Sequence, residues 1–132
     1  MNNLNNFIVI DDDNLNNVLC RFIIERATPV SEYKAFEIPQ EGLRFMSEKY
    51  SHLGSPAIVF LDINMPGWSG WDFLDNYERL DGAIKDQFRI YMLSSSIDPE
   101  DMERAKKNKN VLGYISKPLS ENAVLEILEQ VG

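Results

Sequence analysis

Short apolar runs alternate along this chain with stretches of helical period. Phe7 to Ile10 is an apolar run rich in β-branched side chains, and it stops abruptly at Asp11, Asp12 and Asp13, as a buried strand does at its end. Leu15, Val18, Leu19, Phe22 and Ile23 follow at i, i+3, i+4, i+7 and i+8. That spacing predicts a helix with this one apolar face turned to the core. Thr28 and Pro29 close it, and Val30 to Ile38 reads as a half-buried strand. Pro39 to Gly42 opens a second helix that runs to about Tyr50, with Leu43, Met46 and Tyr50 as its core positions.

The second half repeats the theme. Ala57 to Leu61 is a buried strand ended by Asp62; a turn at Asn64 to Gly67 leads into a helix carrying Phe73, Leu74, Tyr77 and Leu80. Phe88 to Leu93 is a strand that stops at Ser94, Ser95 and Ser96. Asp98 before Pro99 is a helix start, a capping acid followed by a proline whose missing N–H costs nothing there. Val111 to Ile115 is the last strand, followed by Lys117 and Pro118; Ser120 opens a final helix with Val124, Ile127, Leu128 and Val131 inward. Five strands alternating with five helices predict an α/β fold with a parallel sheet covered on both faces. In such sheets ligands bind beyond the carboxyl ends of the strands. Those ends carry Asp11 and Asp12, Asp62, Ser94 and Lys117.

Composition narrows the function. With 132 residues, 44% of them hydrophobic, the chain has the size and material of one domain. Thirteen basic against 21 acidic side chains give a net charge of −8, which argues against direct nucleic-acid binding and an anionic membrane surface. One cysteine, Cys20, and one histidine, His52, exclude a Cys/His zinc site. A Cys–His nucleophilic pair stays arithmetically open. No apolar run approaches a membrane span, and no basic flank marks a signal peptide. A lone cysteine fits a cytoplasmic location.

The strand-end acids carry the chemistry. Carboxylates about 5 Å apart repel by roughly 3 kcal/mol per pair at an effective dielectric of 20, so Asp11, Asp12 and Asp62 together call for a cation. Oxygen donors without His or Cys suit a hard divalent ion such as Mg²⁺. A Mg²⁺ site beside the Lys117 ammonium suits a phosphoryl group, with Asp62 as carboxylate nucleophile and the Ser94 hydroxyl as donor to a phosphoryl oxygen. Each residue also has a plainer reading. Acids after a strand make a solvated turn with Asp13 or Asn14 capping the next helix, Asp62 before a Pro-Gly pair is a turn residue, the serines are a loop, and Lys117 with Pro118 marks a bend. Turn chemistry alone does not account for all four in this order at strand ends.

The stretches FIVIDDDN (7–14), IVFLDINMPGWSGWDFL (58–74), IYMLSSS (90–96) and GYISKPLS (113–120) resemble the receiver domain of two-component response regulators, of the chemotaxis response regulator type. The resemblance spans nearly the whole chain and implies a flavodoxin-like (βα)5 three-layer sandwich with strand order 2-1-3-4-5. It implies Asp62 as phosphoacceptor, Asp12 as direct Mg²⁺ ligand, Asp11 as its partner acting mostly through water, and the main-chain carbonyl of Asn64 as a further ligand. Mn²⁺ is implied as a substitute. Ser94 matches the switch hydroxyl, Lys117 the lysine that pairs with the acceptor and its phosphoryl group, and Tyr114 the aromatic that turns inward. The bond between Lys117 and Pro118 is expected to be cis. Asn64 and Ser96 match the positions that tune phosphoryl lifetime.

The implied role is that of a stand-alone receiver, one domain over residues 1–132, that is not an independent enzyme. It takes a phosphoryl group from a histidine kinase or phosphotransfer protein and presents its fourth helix, fifth strand and fifth helix to a downstream protein, as a monomer or a phosphorylation-dependent dimer. A degenerate receiver acting by docking alone is the first alternative. A haloacid dehalogenase-type phosphatase needs an acid where Asn64 stands, and a flavodoxin-like carrier has no place for acids at its phosphate site. Several features fall outside the pattern. Asp13 adds a third acid, read as a helix cap. Residues 81–87 lengthen the connection before the fourth strand. Arg104, Lys106, Lys107 and Lys109 complement a helix dipole or face an acidic partner. Trp68 and Trp71 either cover the site or pack at the base of the third helix, and His52 reads as a surface residue.

Overall fold

The computed structural model of the chain describes residues 5–49, 56–95 and 98–131. Its elements run β1 (Asn6–Ile10), α1 (Asn14–Ala27), β2 (Glu32–Phe36), α2 (Pro39–Lys49), β3 (Ala57–Leu61), α3 (Gly70–Tyr77), α4 (Gly82–Lys85), β4 (Phe88–Ser94), α5 (Pro99–Lys107), β5 (Val111–Ser116) and α6 (Glu121–Val131). All strand pairs are parallel, in the order β2-β1-β3-β4-β5. The expected flavodoxin-like α/β architecture and strand order therefore hold.

Strand residues alternate between two cores, because successive side chains leave opposite faces of a sheet. Ile8, Ile10, Val59, Leu61, Ile90 and Met92 pack with α2 and α3 through Met46, Phe73, Leu74 and Tyr77. Phe7, Val9, Ile58, Phe60 and Leu93 pack with α1 and α6 through Cys20, Ile24, Val124 and Ile127. Burial on both faces explains why the central strands read as unbroken apolar runs.

Four expectations need correction. The apolar face predicted for α1 points outward: Leu15, Val18, Leu19 and Phe22 are exposed, while Asn17, Cys20 and Ile24 are buried. The phase of α1 is set at its start, where the Asp13 carboxylate caps the N–H groups of Leu15 and Asn16. Asn17 is carried inward, where its side-chain amide donates to the Asp11 carbonyl at 2.9 Å and its main-chain carbonyl accepts from the Tyr33 hydroxyl at 2.6 Å. Second, β2 is shorter than residues 30–38 and is an edge strand with Glu32, Lys34 and Ala35 exposed.

Third, α3 stops at Tyr77, so Leu80 lies in the turn beyond it. Fourth, the long connection holds an extra one-turn helix, α4, making six helices in place of five. Glu78 ties it down: Lys85 Nζ donates to the Glu78 carboxylate and carbonyl, and Lys109 and Asn110 bind the same carboxylate. The expected output face is accordingly α5-β5-α6 here. α2 ends at Lys49; Tyr50, His52 and Ser96 lie outside the described residues.

Candidate functional site

β1 and β3 are neighbours in register, with Ile10 opposite Leu61. Their carboxyl ends therefore deliver Asp11 and Asp62 side by side. The backbone holds both: Asp11 N–H donates to the Phe36 carbonyl and Asp62 N–H to the Ile10 carbonyl, each at 3.0 Å. Asp11 and Asp62 are buried and Asp12 is exposed. One carboxylate oxygen from each of the three lies within 4.8 Å of the others.

Lys117, delivered by the end of β5, is the cation of the cluster. Its Nζ is 2.5 Å from Asp11 Oδ2 and 3.6 Å from Asp62 Oδ1. Its backbone N–H donates to the Ser94 carbonyl at 3.0 Å, and its bond to Pro118 is cis, as expected. Ser94 is the last residue of β4 and fully buried. Tyr114 lies opposite Met92 on β5, partly buried against the α3-side core. Asn64 is exposed in the loop after Asp62.

Electrostatics mark Asp62 as the strained group. Burial, then the neighbouring Asp11 charge, pushes its carboxyl from 3.8 up to about 6. Lys117 and the backbone N–H groups of Ile63 and Asn64 pull the other way without cancelling the rise. Burial lowers the Lys117 ammonium, but its hydrogen bond to Asp11 and the two acidic charges raise it further, so the net shift is upward. Three carboxylates against one ammonium leave the pocket two negative charges in excess. Oxygen-only donors in such a pocket fit a hard divalent cation.

Sequence reading missed the residues that hold Asp11. Asn16 donates to Asp11 Oδ2 at 3.0 Å, the Asp13 N–H donates to Oδ1 at 2.9 Å, and Asn17 supports the Asp11 carbonyl. The one signal for them was a pair of amides in the first turn of a helix that starts directly after the acids. Gly70 was also missed. It opens α3 under β3, donates its N–H to the Ile63 carbonyl at 2.7 Å, and a Cβ there would collide with the Asp62 carbonyl oxygen. Asp13 is a helix cap, as read. Trp71 packs at the start of α3 with the Arg104 guanidinium 4.5 Å from its ring centroid, and Trp68 is half-buried against the same core. The Cys20 thiol is buried, which with the Asp11 charge lifts it to about 12 and makes it a poor nucleophile.

The sequence matches the response regulator receiver domain over residues 7–129. The chain belongs to this family. A two-component response regulator from Cytophaga hutchinsonii is similar at 33% identity, with 98% of this chain and 97% of that one covered and a TM-score of 0.87. A response regulator receiver protein from Dyadobacter fermentans, at 22% identity over 95% of each chain, has the same fold with a TM-score of 0.85. So does chemotaxis protein CheY4 from Vibrio cholerae, at 19% identity over 98% of this chain and 100% of that one, with a TM-score of 0.75. No curated protein matches the sequence. Membership sets aside the phosphatase and flavin-carrier readings. Receiver domains are signalling domains that bind Mg²⁺ at an acidic pocket and interact with histidine kinases or phosphotransfer proteins and with downstream targets. This chain brings Asp11, Asp12 and Asp62 together in an acidic cluster. No helix among the described residues is long and apolar enough to cross a membrane.

Proposed function

We propose that this receiver accepts a phosphoryl group on Asp62 and relays its presence to the α5-β5-α6 face. The observation that carries the reading is the Lys117 ammonium bridging Asp11 and Asp62 in a buried, over-acidic pocket. An Asp62 carboxylate oxygen forms a new bond to phosphorus as the bond between phosphorus and the donor's histidine nitrogen breaks; the imidazole leaves with that electron pair. Lys117 neutralises an equatorial phosphoryl oxygen, and Asn16 with the Asp13 N–H keeps Asp11 fixed while charge moves. Asp11, Asp12, Asp62 and the main-chain carbonyl of Asn64 are the residues that would hold Mg²⁺ or Mn²⁺. The ion supplies charge neutralisation for the phosphoryl oxygens. The 132 residues are read as one cytoplasmic receiver domain that assists its own phosphorylation and dephosphorylation and turns over no separate substrate. Asn64 and Ser96 are assigned to tuning the lifetime of the phosphoryl group.

The test is incubation with acetyl phosphate, with and without Mg²⁺, followed by intact mass and hydroxylamine. One Mg²⁺-dependent, hydroxylamine-labile adduct supports the reading. Its absence would leave the degenerate receiver, docking without phosphorylation, as the better account.

The switch runs from Ser94 to Tyr114 across adjacent strands. Phosphorylation adds charge and acceptor oxygens at Asp62. The Ser94 hydroxyl moves to them, and Tyr114 turns into the space released, shifting the population of the output face. Ser94→Ala is expected to take the phosphoryl group normally yet lose the phosphorylation-induced NMR shift of the Tyr114 ring. A full Tyr114 response in that variant would break the proposed coupling.

The donor's docking surface is assigned to α1. Leu15, Val18, Leu19 and Phe22 form an exposed apolar stripe on the helix whose first turn holds Asp11. An apolar groove of about 210 Å³ between Leu19, Cys20, Ile23, Pro118 and Leu119 extends it toward Lys117. A stripe of this kind on a soluble domain marks a partner site. Leu15→Glu with Phe22→Glu is expected to slow phosphotransfer from a phosphorylated donor protein about tenfold or more. The rate with acetyl phosphate should stay unchanged; an equal loss with both donors would refute the assignment.

A further inference from the structure

We propose that Asn16 is a positioning residue that governs how readily Lys117 leaves Asp11 for the phosphoryl group. The inference rests on the phosphoacceptor reading of Asp62 and adds a residue that sets its rate. Lys117 serves two acids unequally: its Nζ is 2.5 Å from Asp11 Oδ2 but 3.6 Å from Asp62 Oδ1. The ammonium therefore rests on Asp11. To neutralise an oxygen of a phosphoryl group on Asp62 it must give up that contact, and Asp11 is buried. A buried carboxylate stripped of its donor is costly. Release of Lys117 opposes the transfer unless another group keeps Asp11 hydrogen-bonded.

Other groups hold every polar atom of Asp11. Its backbone N–H donates to the Phe36 carbonyl at 3.0 Å, and its carbonyl accepts from the Asn17 side-chain amide at 2.9 Å. Oδ1 accepts from the Asp13 N–H at 2.9 Å. Oδ2 accepts from the Asn16 side-chain amide at 3.0 Å, and this is the oxygen that Lys117 also holds. A carboxylate oxygen has two lone pairs and takes both donors. Asn16 thus acts twice at one atom. It shares Oδ2 with the ammonium, which weakens the grip of Asp11 on Lys117, and it stays behind when the ammonium leaves. No proton changes hands: a Lys117 N–H turns from Asp11 Oδ2 to a phosphoryl oxygen, and the Asn16 N–H remains on Oδ2.

The start of α1 places Asn16 for this task. The Asp13 carboxylate accepts from the Leu15 and Asn16 backbone N–H groups at 3.0 and 3.3 Å, which ties residue 16 to the turn that follows Asp11. Helical side chains point back toward the amino end, so the Asn16 amide returns over that turn to Oδ2. Its other neighbours are apolar, since Asn16 borders a groove with Leu19, Cys20, Ile23, Pro118 and Leu119. A leucine at position 16 meets compatible walls there, and Asn16→Leu removes the amide without burying a new polar group.

The experiment follows adduct formation with acetyl phosphate by intact mass, across a series of Mg²⁺ concentrations, in parent and Asn16→Leu. The maximal rate should fall about tenfold, while the Mg²⁺ concentration giving half that rate stays nearly the same, because Asp11 keeps its other three contacts. Asn16→Ala, which removes the amide and adds no bulk, should show the same loss. In a Lys117→Ala background Asn16→Leu should have little further effect, since no ammonium is left to release. The metal-free protein gives an independent readout by nitrogen NMR: the Lys117 ammonium should exchange its protons with water more slowly in Asn16→Leu, where it holds Oδ2 alone. A shifted Mg²⁺ requirement, an equal loss in the Lys117→Ala background, or unchanged ammonium exchange would mean that Asn16 only shapes the loop, and would overturn the proposal. No adduct in the parent overturns the phosphoacceptor reading and this inference with it, whereas an adduct formed as fast in Asn16→Leu as in the parent overturns this inference alone.

Discussion

Asp62→Asn is expected to lose the phosphoryl adduct completely and, without divalent cations, to melt several degrees above the parent at neutral pH. The first effect follows from removing the nucleophilic oxygen. The second follows from the cost of burying that charge. The Asp62 carboxyl sits at about 6 in the folded protein against an ordinary 3.8. Between those values the folded state holds a proton that the unfolded state releases, so stability falls as pH rises through that window, and the full penalty persists above it. A rise of that size corresponds to about 2–3 kcal/mol, which the neutral amide avoids. Thermal melts of parent and variant should therefore converge near pH 4 and separate above pH 6. Mg²⁺ should raise the parent's melting temperature and close much of the gap. A variant less stable than the parent at pH 7 without metal would show that Asp62 contributes stability here and would overturn this electrostatic account.

The same comparison between local chemistry and tertiary context explains what the sequence revealed. Strand ends were legible because each central strand is buried on both faces and stops where a charged or hydroxyl side chain begins, as at Ile10 to Asp11 and Leu61 to Asp62. The partners of the site followed once parallel neighbours were assumed. The phase of α1 was not legible. Its apolar stripe has good helical spacing, yet the buried stripe contains Asn17, whose side-chain amide reaches the Asp11 carbonyl and whose main-chain carbonyl accepts from the Tyr33 hydroxyl, partners that lie outside the helix. A periodic apolar face reports a surface that wants a partner; whether the partner is the protein's own sheet or another molecule is decided by contacts elsewhere. The turn α4 was hidden for a similar reason. Four residues carry too little periodicity to be read, and its anchor, Glu78, joins Lys85 to Lys109 and Asn110 across the fold.

Lys117→Ala should show a large loss of stability, and the loss should depend on both pH and metal. In the parent its ammonium touches Asp11 at 2.5 Å and stands 3.6 Å from Asp62, with both acids buried. Removing one partner of a buried ion pair leaves an uncompensated charge and costs about 3–5 kcal/mol. Here the stranded charges have two escapes. Protonation is one: Asp62 already resists ionisation, and without Lys117 it gains further affinity for a proton, so its folded-state pKa rises further above the unfolded one. Groups shifted in that direction give stability that is present at low pH and lost as pH rises, so the variant should recover relative to the parent between pH 7 and pH 5. A divalent cation is the other escape, since it takes over the neutralising role. Urea midpoints measured at pH 7 should place the variant well below the parent in chelator and much closer in excess Mg²⁺. The adduct with acetyl phosphate should form slowly even then, because the ion cannot also stand where the ammonium meets the phosphoryl oxygen. A deficit that is the same at pH 5 and pH 7, with and without Mg²⁺, would mean that Lys117 stabilises the fold by packing its stem, and the electrostatic account of the pocket would fall with it.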